Sequence, residues 1–407
     1  MATIHPFRAL RPRPEEAAAV AAVPYDVVNR AEAAALAAGN PLSFLHVSRA
    51  EIDLPEDTDP HADAVYDRAV VNFAALRRAA PLVEEAEPSL YVYRLRMGEH
   101  EQTGIAACFA VNAYEDDEIR KHERTRRDKE DDRTRHILAL HAQTGPVFLT
   151  YPAVGAVDTL VARATAGPAL LELVADDGIG HALWRLGAED RDALVAAFEA
   201  VPVLYIADGH HRAASAMRAR ATLRDGSADG GPIEADTFLA VAFPDDQVQV
   251  LPYHRVVRDL AGMTPEAFLE ALAARLAVGD GGPAAAGPGH VAMYLAGRWH
   301  DVRLGPAAAD TAPADQLDVA RLQAQVLEPL LAIGDPRTDT RIDFIGGIRG
   351  PAALVERVDS GSAAVAFALH PVGVADLMAI ADAGGIMPPK STWFEPKLRD
   401  GLLSHLI

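Results

Sequence analysis

Residues 201–219 constrain this chain more than any other stretch. The apolar run 201–207 has the length and composition of a short buried strand, and the Ala-rich run 213–219 has those of a helix. Between them stand Asp208, Gly209, His210, His211 and Arg212: a carboxylate, a flexible hinge, two imidazoles and a guanidinium. A strand, a glycine turn and a helix in succession aim backbone N–H groups and the positive end of a helix dipole at one point, an arrangement suited to anions. A plainer reading makes Asp208 a helix cap and leaves the histidines on the surface. Capping requires only the aspartate, not the His-His-Arg behind it, so an anion site at Gly209, His210, His211 and Arg212 is the stronger expectation.

The same residues raise the question of a metal. Adjacent histidines at a helix start point about 100° apart and do not share an ion as an i,i+4 pair does. A dedicated metal site is therefore not expected. The sequence favours Mg²⁺ carried by phosphate oxygens, with Asp208 as the one protein ligand, over a Zn²⁺ site.

A second constellation lies in the charged block 115–135, which holds nine acids and eight bases. Residues 128–135 fit a solvated helix with i,i+4 pairs, since Ile137, Leu138 and Leu140 then supply its apolar stripe. Residues 120–125 fit a helix less well, because no apolar residue anchors them. There Lys121, Arg124 and Thr125 surround His122 and Glu123. Cations of this kind neutralise phosphate oxygens, and Glu123 or His122 could accept a proton from an attacking hydroxyl.

A third constellation, Met387-Pro388-Pro389-Lys390-Ser391-Thr392-Trp393-Phe394-Glu395-Pro396-Lys397, places an ammonium and two hydroxyls after two prolines. Lys390-Ser391-Thr392 is similar to the tail of a phosphate-binding P-loop, but Gly384-Gly385 is misplaced for that motif and no helix follows. An edge strand carrying Lys390 into an active site is expected instead. Tyr25 and Asp26, after a turn at Pro24, and Ser43 and His46, within an apolar strand at 42–47, are second-tier pocket candidates.

Charge excludes some functions. With 38 Lys plus Arg against 58 Asp plus Glu, the net charge is −20. Sequence-independent binding to nucleic acid or to an anionic membrane is then not expected. The single cysteine, Cys108, sits in an apolar run and reads as a buried structural thiol. No apolar stretch reaches membrane-spanning length and the N-terminus lacks an apolar leader core, so a cytoplasmic protein is expected. Oligomeric state is not legible; a homodimer is compatible with the sequence.

At 407 residues, two domains are expected. The Gly-rich segment 225–232 is the clearest boundary, which gives a phosphate-binding catalytic domain at 1–225. A mixed domain at 233–407 would complete the site through its last strand. Strands are expected at 90–95, 103–114, 147–151 and 181–186, helices at 31–38, 61–79, 190–200, 265–276 and 316–333. Hairpins are expected at 237–251 and 290–304, and the fold class is α+β, or mixed α/β.

Five motifs, in order, resemble a widespread prokaryotic family catalogued as domain-of-unknown-function family 1015. They are Pro24-Tyr25-Asp26-Val27, Leu42-Ser43-Phe44-Leu45-His46-Val47, Lys121-His122-Glu123-Arg124-Thr125, Ala207-Asp208-Gly209-His210-His211-Arg212 and Met387-Pro388-Pro389-Lys390-Ser391-Thr392. The Asp-Gly-His-His-Arg element also resembles the phosphate-holding turn of ParB/sulfiredoxin-like domains and of free serine kinases. The resemblance implies a ParB-like N-terminal region and transfer of a phosphoryl group to the hydroxyl of free serine or a similar metabolite. The donor it implies is ATP, ADP or pyrophosphate. It implies Glu123 as the base, with Asp208 orienting a histidine or metal. This chain departs from the pattern in length: its C-terminal half has no counterpart in a minimal ParB-like domain, and its acidity argues against DNA partition work. A non-catalytic nucleotide-binding protein and a metal-dependent hydrolase remain as alternatives.

Overall fold

Local chemistry sets the first helix boundaries. Asn29 accepts a hydrogen bond from the Glu32 amide at 3.0 Å while Glu32 accepts one from the Asn29 amide at 2.8 Å, a reciprocal cap that starts helix Arg30–Ala37. Thr264 caps helix Pro265–Ala273, whose first residue is a proline with no N–H to leave unpaired. The computed structural model describes residues 3–79, 82–225, 231–307 and 310–407.

The chain divides into two compact units, Met1–Val248 with Pro396–Ile407, and Gln249–Glu395. Both are mixed α/β. Among the described residues, the first unit is built on a nine-stranded sheet. Its path runs Ile119–Arg120, Leu204–Asp208, Val147–Tyr151, Thr237–Pro244, His100–Ala110, Tyr91–Met97, Gly180–Arg185 and Leu171–Val174, with Ile4–His5 paired to His100–Ala110. One buried cluster includes Phe109, Leu149, Phe198, Ile206 and Phe238. Another, around Phe44, Val47 and Phe73, gathers the N-terminal helices. Cys108 is buried in the sheet, as expected.

The second unit carries a six-stranded sheet in the order Ala277–Asp280, Arg298–Arg303, His290–Leu295, Val365–Leu369, Tyr253–Val257 and Ile342–Gly346. A two-stranded pairing joins Gln249–Leu251 to Trp393–Glu395.

Several local expectations differ from what is found. The unit boundary does not fall at 225–233. Residues 226–230 lie outside the described residues, but Thr237–Pro244 beyond them pairs inside the first sheet between His100–Ala110 and Val147–Tyr151. Strand Ser404–Leu406, at the far end of the chain, also pairs within the first unit. A cut along the sequence cannot express such return pairings. The hairpin expected at 237–251 does not form for the same reason, since Gln249–Leu251 finds its partner at Trp393–Glu395.

Residues 42–47 are not a strand. The Asn40 side chain accepts from the Leu42 amide and Ser43 Oγ from the Leu45 amide, which turns the apolar run into helix Leu45–Ser48. A run this short does not distinguish strand from buried helix. The helix expected at 316–333 breaks into Asp318–Leu322, a π segment Gln323–Leu327 and Glu328–Leu331. Pro329 has no N–H to continue the regular ladder.

Candidate active site

Strand Leu204–Asp208 ends next to two neighbours, Ile119–Arg120 on one side and Val147–Tyr151 on the other, with a bulge between Ile206 and Asp208 in the second pairing. Gly209 follows at φ +93°, where a side chain is disfavoured. A Cβ there would sit 3.4 Å from both Val147 Cα and Arg212 Cδ. Helix His210–Asp225 starts immediately after. The Arg212 and Ala213 amides both donate to the Gly209 carbonyl. The amides of Gly209, His210 and His211 precede that first intrahelical ladder, which is where a helix presents open donors. The expected strand, glycine turn and helix are all present.

The parallel pairing with Ile119–Arg120 brings the second constellation to this turn. The His122 and His210 rings meet edge to face, 4.4 Å between centroids, and the His122 amide approaches His210 Nε2 at 3.5 Å. On the other side of the ring, His210 Nδ1 lies 3.9 Å from Glu123 Oε2. The Arg126 amide donates to His211 Nε2 at 3.0 Å. One nitrogen from each of His122 and His210 and one Glu123 carboxylate oxygen lie within 4.8 Å of one another.

The two inner histidines are kept neutral at pH 7. Burial pushes His122 down to about 4, against weaker opposition from Asp208 and a hydrogen bond to the Ile206 carbonyl. Burial, reinforced by His122, holds His210 well below its ordinary value. His122 Nδ1 has no hydrogen-bond partner among the described residues. With the Ile206 carbonyl taking the other ring N–H, that nitrogen carries a lone pair. Glu123 stands at the rim, with 59% of its side chain exposed.

Asp208 has a partner that its sequence neighbourhood does not reveal. Lys397 Nζ lies 3.1 Å from Asp208 Oδ2. Burial alone would raise this carboxyl, but Lys397 and then Arg212 outweigh it and hold Asp208 well below the usual range. Arg212 is 7% exposed; it donates to the Pro146 carbonyl at 2.7 Å and to both oxygens of Asp26 at 3.1 Å. Asp26 and Asp208 are the first acids to raise its pKa against the effect of burial. Behind Arg212 lies a small cavity of about 40 Å³, lined by Tyr25, Arg133, Gln143 and Asp400 among others. Arg133 stacks on the Tyr25 ring at 4.2 Å. Burial pushes the Asp400 carboxyl up to about 7, with Arg212 pulling the other way, and its Oδ1 has no partner among the described residues.

The structure therefore brings together His122, Glu123, Asp208, Gly209, His210, His211 and Arg212, and adds Tyr25 and Asp26 through Arg212. Other expected residues are engaged elsewhere. Lys121 donates to the Tyr114 carbonyl at 2.8 Å, pairs with Asp117 at 3.1 Å and lies over the Tyr114 ring. Arg124 is exposed and Thr125 half-buried. Ser43 Oγ caps its own short helix. His46 is held between Asp53 at 2.9 Å and the Asn40 carbonyl at 3.2 Å. Lys390, Ser391 and Thr392 belong to the second unit. Lys390 does not sit in an edge strand: it occupies a turn at φ +55°, and the strand begins at Trp393. Ser391 Oγ donates to the Pro388 carbonyl at 2.6 Å. Lys397, Asp400 and Arg133 were not expected as site residues, although Lys397 ends the third constellation and Arg133 lies in the charged block. Lys397 lies far along the chain from Asp208, and Asp400 from Arg212, so no local pattern marks either; Arg133 pairs with the adjacent Asp132 inside the charged block, where nothing distinguishes it from its neighbours.

The sequence profile of the family described as "Protein of unknown function (DUF1015)" matches residues 4–320. The chain belongs to that family. No curated protein matches it. Three solved structures with distant similarity are a conserved hypothetical protein from Pyrococcus furiosus, a free serine kinase in complex with AMP, and SbnI with a C-terminal truncation from Staphylococcus aureus. The first is 13% identical at TM-score 0.34, covering 74% of this chain and 95% of that one. The second is 13% identical at TM-score 0.35, covering 73% and 91%. The third is 13% identical at TM-score 0.39, covering 74% and 87%. No helix among the described residues is long and apolar enough to cross a membrane.

Proposed function

We propose that this protein is a small-molecule phosphotransferase that moves a phosphoryl group from a nucleotide or pyrophosphate to the hydroxyl of free serine or a similar metabolite. The observation that carries this reading is the convergence of segment 119–126 on the start of helix His210–Asp225, through the parallel pairing, the Glu123–His210 approach and the Arg126–His211 hydrogen bond. The resemblance of the Asp-Gly-His-His-Arg turn to phosphate-holding turns supports the same reading.

Phosphoryl transfer demands positioning and charge neutralisation more than covalent chemistry. The open amides of Gly209, His210 and His211 and the helix dipole receive phosphate oxygens. Neutral His210 and His211 donate or accept hydrogen bonds without adding a fixed charge. Glu123, at the rim and solvent-accessible, accepts the proton of the attacking hydroxyl. Arg212 acts as a brace that ties Asp26 and the Pro146 carbonyl to the turn. Mg²⁺ suits a site with one ionised carboxylate and several phosphate oxygens, and Asp208, kept ionised by Lys397, is the residue that would hold it. When bound, the ion neutralises phosphate charge.

Glu123→Gln removes the proton acceptor from an exposed position. The expected result is a loss of turnover of about 10²–10⁴-fold, with unchanged melting temperature and nucleotide affinity. Turnover equal to the parent protein excludes this role. A second reading, a metal-dependent hydrolase, is favoured by the grouping of His122, Glu123 and His210. One tightly held transition-metal ion per chain in elemental analysis, lost in His122→Ala, decides for it. Saturable nucleotide binding without product decides for a non-catalytic binder.

A further inference from the structure

The second unit contains a buried cation without an acid. Arg255 lies in strand Tyr253–Val257, which is paired on both edges, and only 4% of the residue is exposed. Its Nη1 donates to the Tyr253 carbonyl and its Nη2 to the Pro389 carbonyl at 3.3 Å. The guanidinium carbon lies 5.1 Å from the centre of the Phe344 ring. Among the described residues it has no carboxylate partner. Burial pushes its pKa down, to about 9, and only Tyr253 opposes that, so it remains charged at neutral pH. An unpaired buried charge is costly unless something compensates it. Two carbonyls and a ring face use only part of its five-donor fork.

A second cation stands at the same place. Lys390 is exposed, in the left-handed region at φ +55°, and its Nζ lies 5.3 Å from the centre of the Tyr253 ring. A non-glycine residue in that region marks local strain. Tyr253 and Arg255 are two apart on one strand and share a face of the sheet. Phe344 lies opposite Arg255 and Gly346 opposite Tyr253 in register. Gly346 cannot carry a side chain, because a Cβ would come within 2.7 Å of the Trp393 ring. The Trp393 ring then meets Tyr253 at 5.1 Å, edge to face. Tyr253, Phe344 and Trp393 are all half-buried. Two like charges are thus held beside three half-buried rings, one of which, Trp393, donates its ring N–H to Glu395 at 2.6 Å.

We propose that Arg255 and Lys390, with Tyr253, Phe344 and Trp393, bind a phosphate-bearing small molecule with a planar apolar body, of the nucleoside phosphate class, within residues 249–395. The phosphate supplies the negative charge that Arg255 lacks and shields it from Lys390. The rings take the apolar body, as aromatic side chains take bases elsewhere. This goes beyond the reading of the first unit and does not depend on it, since every residue named belongs to the second.

The test uses the full-length protein, titrated with ADP, with inorganic phosphate and with adenosine, read by tryptophan fluorescence and calorimetry. The expected result is saturable ADP binding with a tryptophan signal that is absent in Trp393→Phe. The ADP affinity read from the Trp393 signal should fall about tenfold or more in Lys390→Ala and in Arg255→Gln. Inorganic phosphate and adenosine should each bind more weakly than ADP. Lys390 is exposed, so its variant folds even if Arg255→Gln does not. The proposal is overturned if ADP gives no tryptophan signal, if Lys390→Ala binds within twofold of the parent protein, or if adenosine matches ADP. A loss of stability in Arg255→Gln with ADP binding intact also overturns it, because that assigns Arg255 a structural role alone.

Discussion

Replacing Lys397 with methionine removes the ion pair that holds Asp208 ionised at the end of its strand. Lys397 is 13% exposed at its side chain and Asp208 28%, and their atoms meet at 3.1 Å. Removing one member of a buried pair leaves an uncompensated charge and costs about 3–5 kcal/mol. Arg212 still attracts Asp208 and the carboxylate is not fully enclosed, so the lower figure, about 3 kcal/mol, is the better expectation. For a unit of this size that lowers the melting temperature by roughly 5–10 °C. The pH dependence gives the sharper signature. In the parent protein the Asp208 pKa is depressed, so its contribution is present above the unfolded carboxylate range and is lost as pH falls through the folded value. In Lys397→Met, burial raises Asp208, so the cost is greatest near pH 8 and shrinks as acidification protonates the group. Differential scanning calorimetry at pH 8, 6 and 5 measures this. Adding Asp208→Asn to Lys397→Met should recover most of the loss at pH 8. A melting temperature within 2 °C of the parent, or a deficit independent of pH and not recovered in the double variant, refutes the reasoning.

Gly209→Ala should destabilise by roughly 1–3 kcal/mol, because a non-glycine residue at φ +93° is strained; denaturant melts check it. Asp400→Asn should act in the opposite sense. The folded Asp400 pKa is raised to about 7, so its contribution is fully present below the unfolded value and is lost as pH rises through the folded one. The variant should therefore gain stability over the parent at pH 8 and little at pH 4, read from paired melting curves.

Much of the first unit was legible because its signals are local. The run 201–219 announced strand, turn and helix, and the absence of an apolar anchor at 120–125 correctly marked a segment that is not helical. The mixed α/β class followed from alternating periodicities. What was not legible is long-range. Asp208 finds Lys397 across the chain, Arg212 finds Asp26, and Thr237–Pro244 returns to a sheet begun before residue 110. No periodicity encodes such partners. The cationic residues at 121 and 124 looked equivalent to phosphate ligands in composition, yet Lys121 is committed to Tyr114 and Asp117. Residues 42–47 failed for a different reason: Asn40 and Ser43 hydrogen-bond the backbone locally and bend an apolar run into a helix. As a metal site the sequence offers Asp208, His210 and His211; the nearer histidine pair is His210 with His122, supplied by the segment after another strand.

Phosphorus NMR of the purified protein with free serine, Mg²⁺ and each of ATP, ADP and pyrophosphate in turn tests the central claim most directly. The account expects an O-phosphoserine resonance to grow with one donor, and to be absent in Glu123→Gln. Persistence of all three donors over many hours, with no phosphomonoester formed from serine or from related hydroxyl compounds, contradicts it.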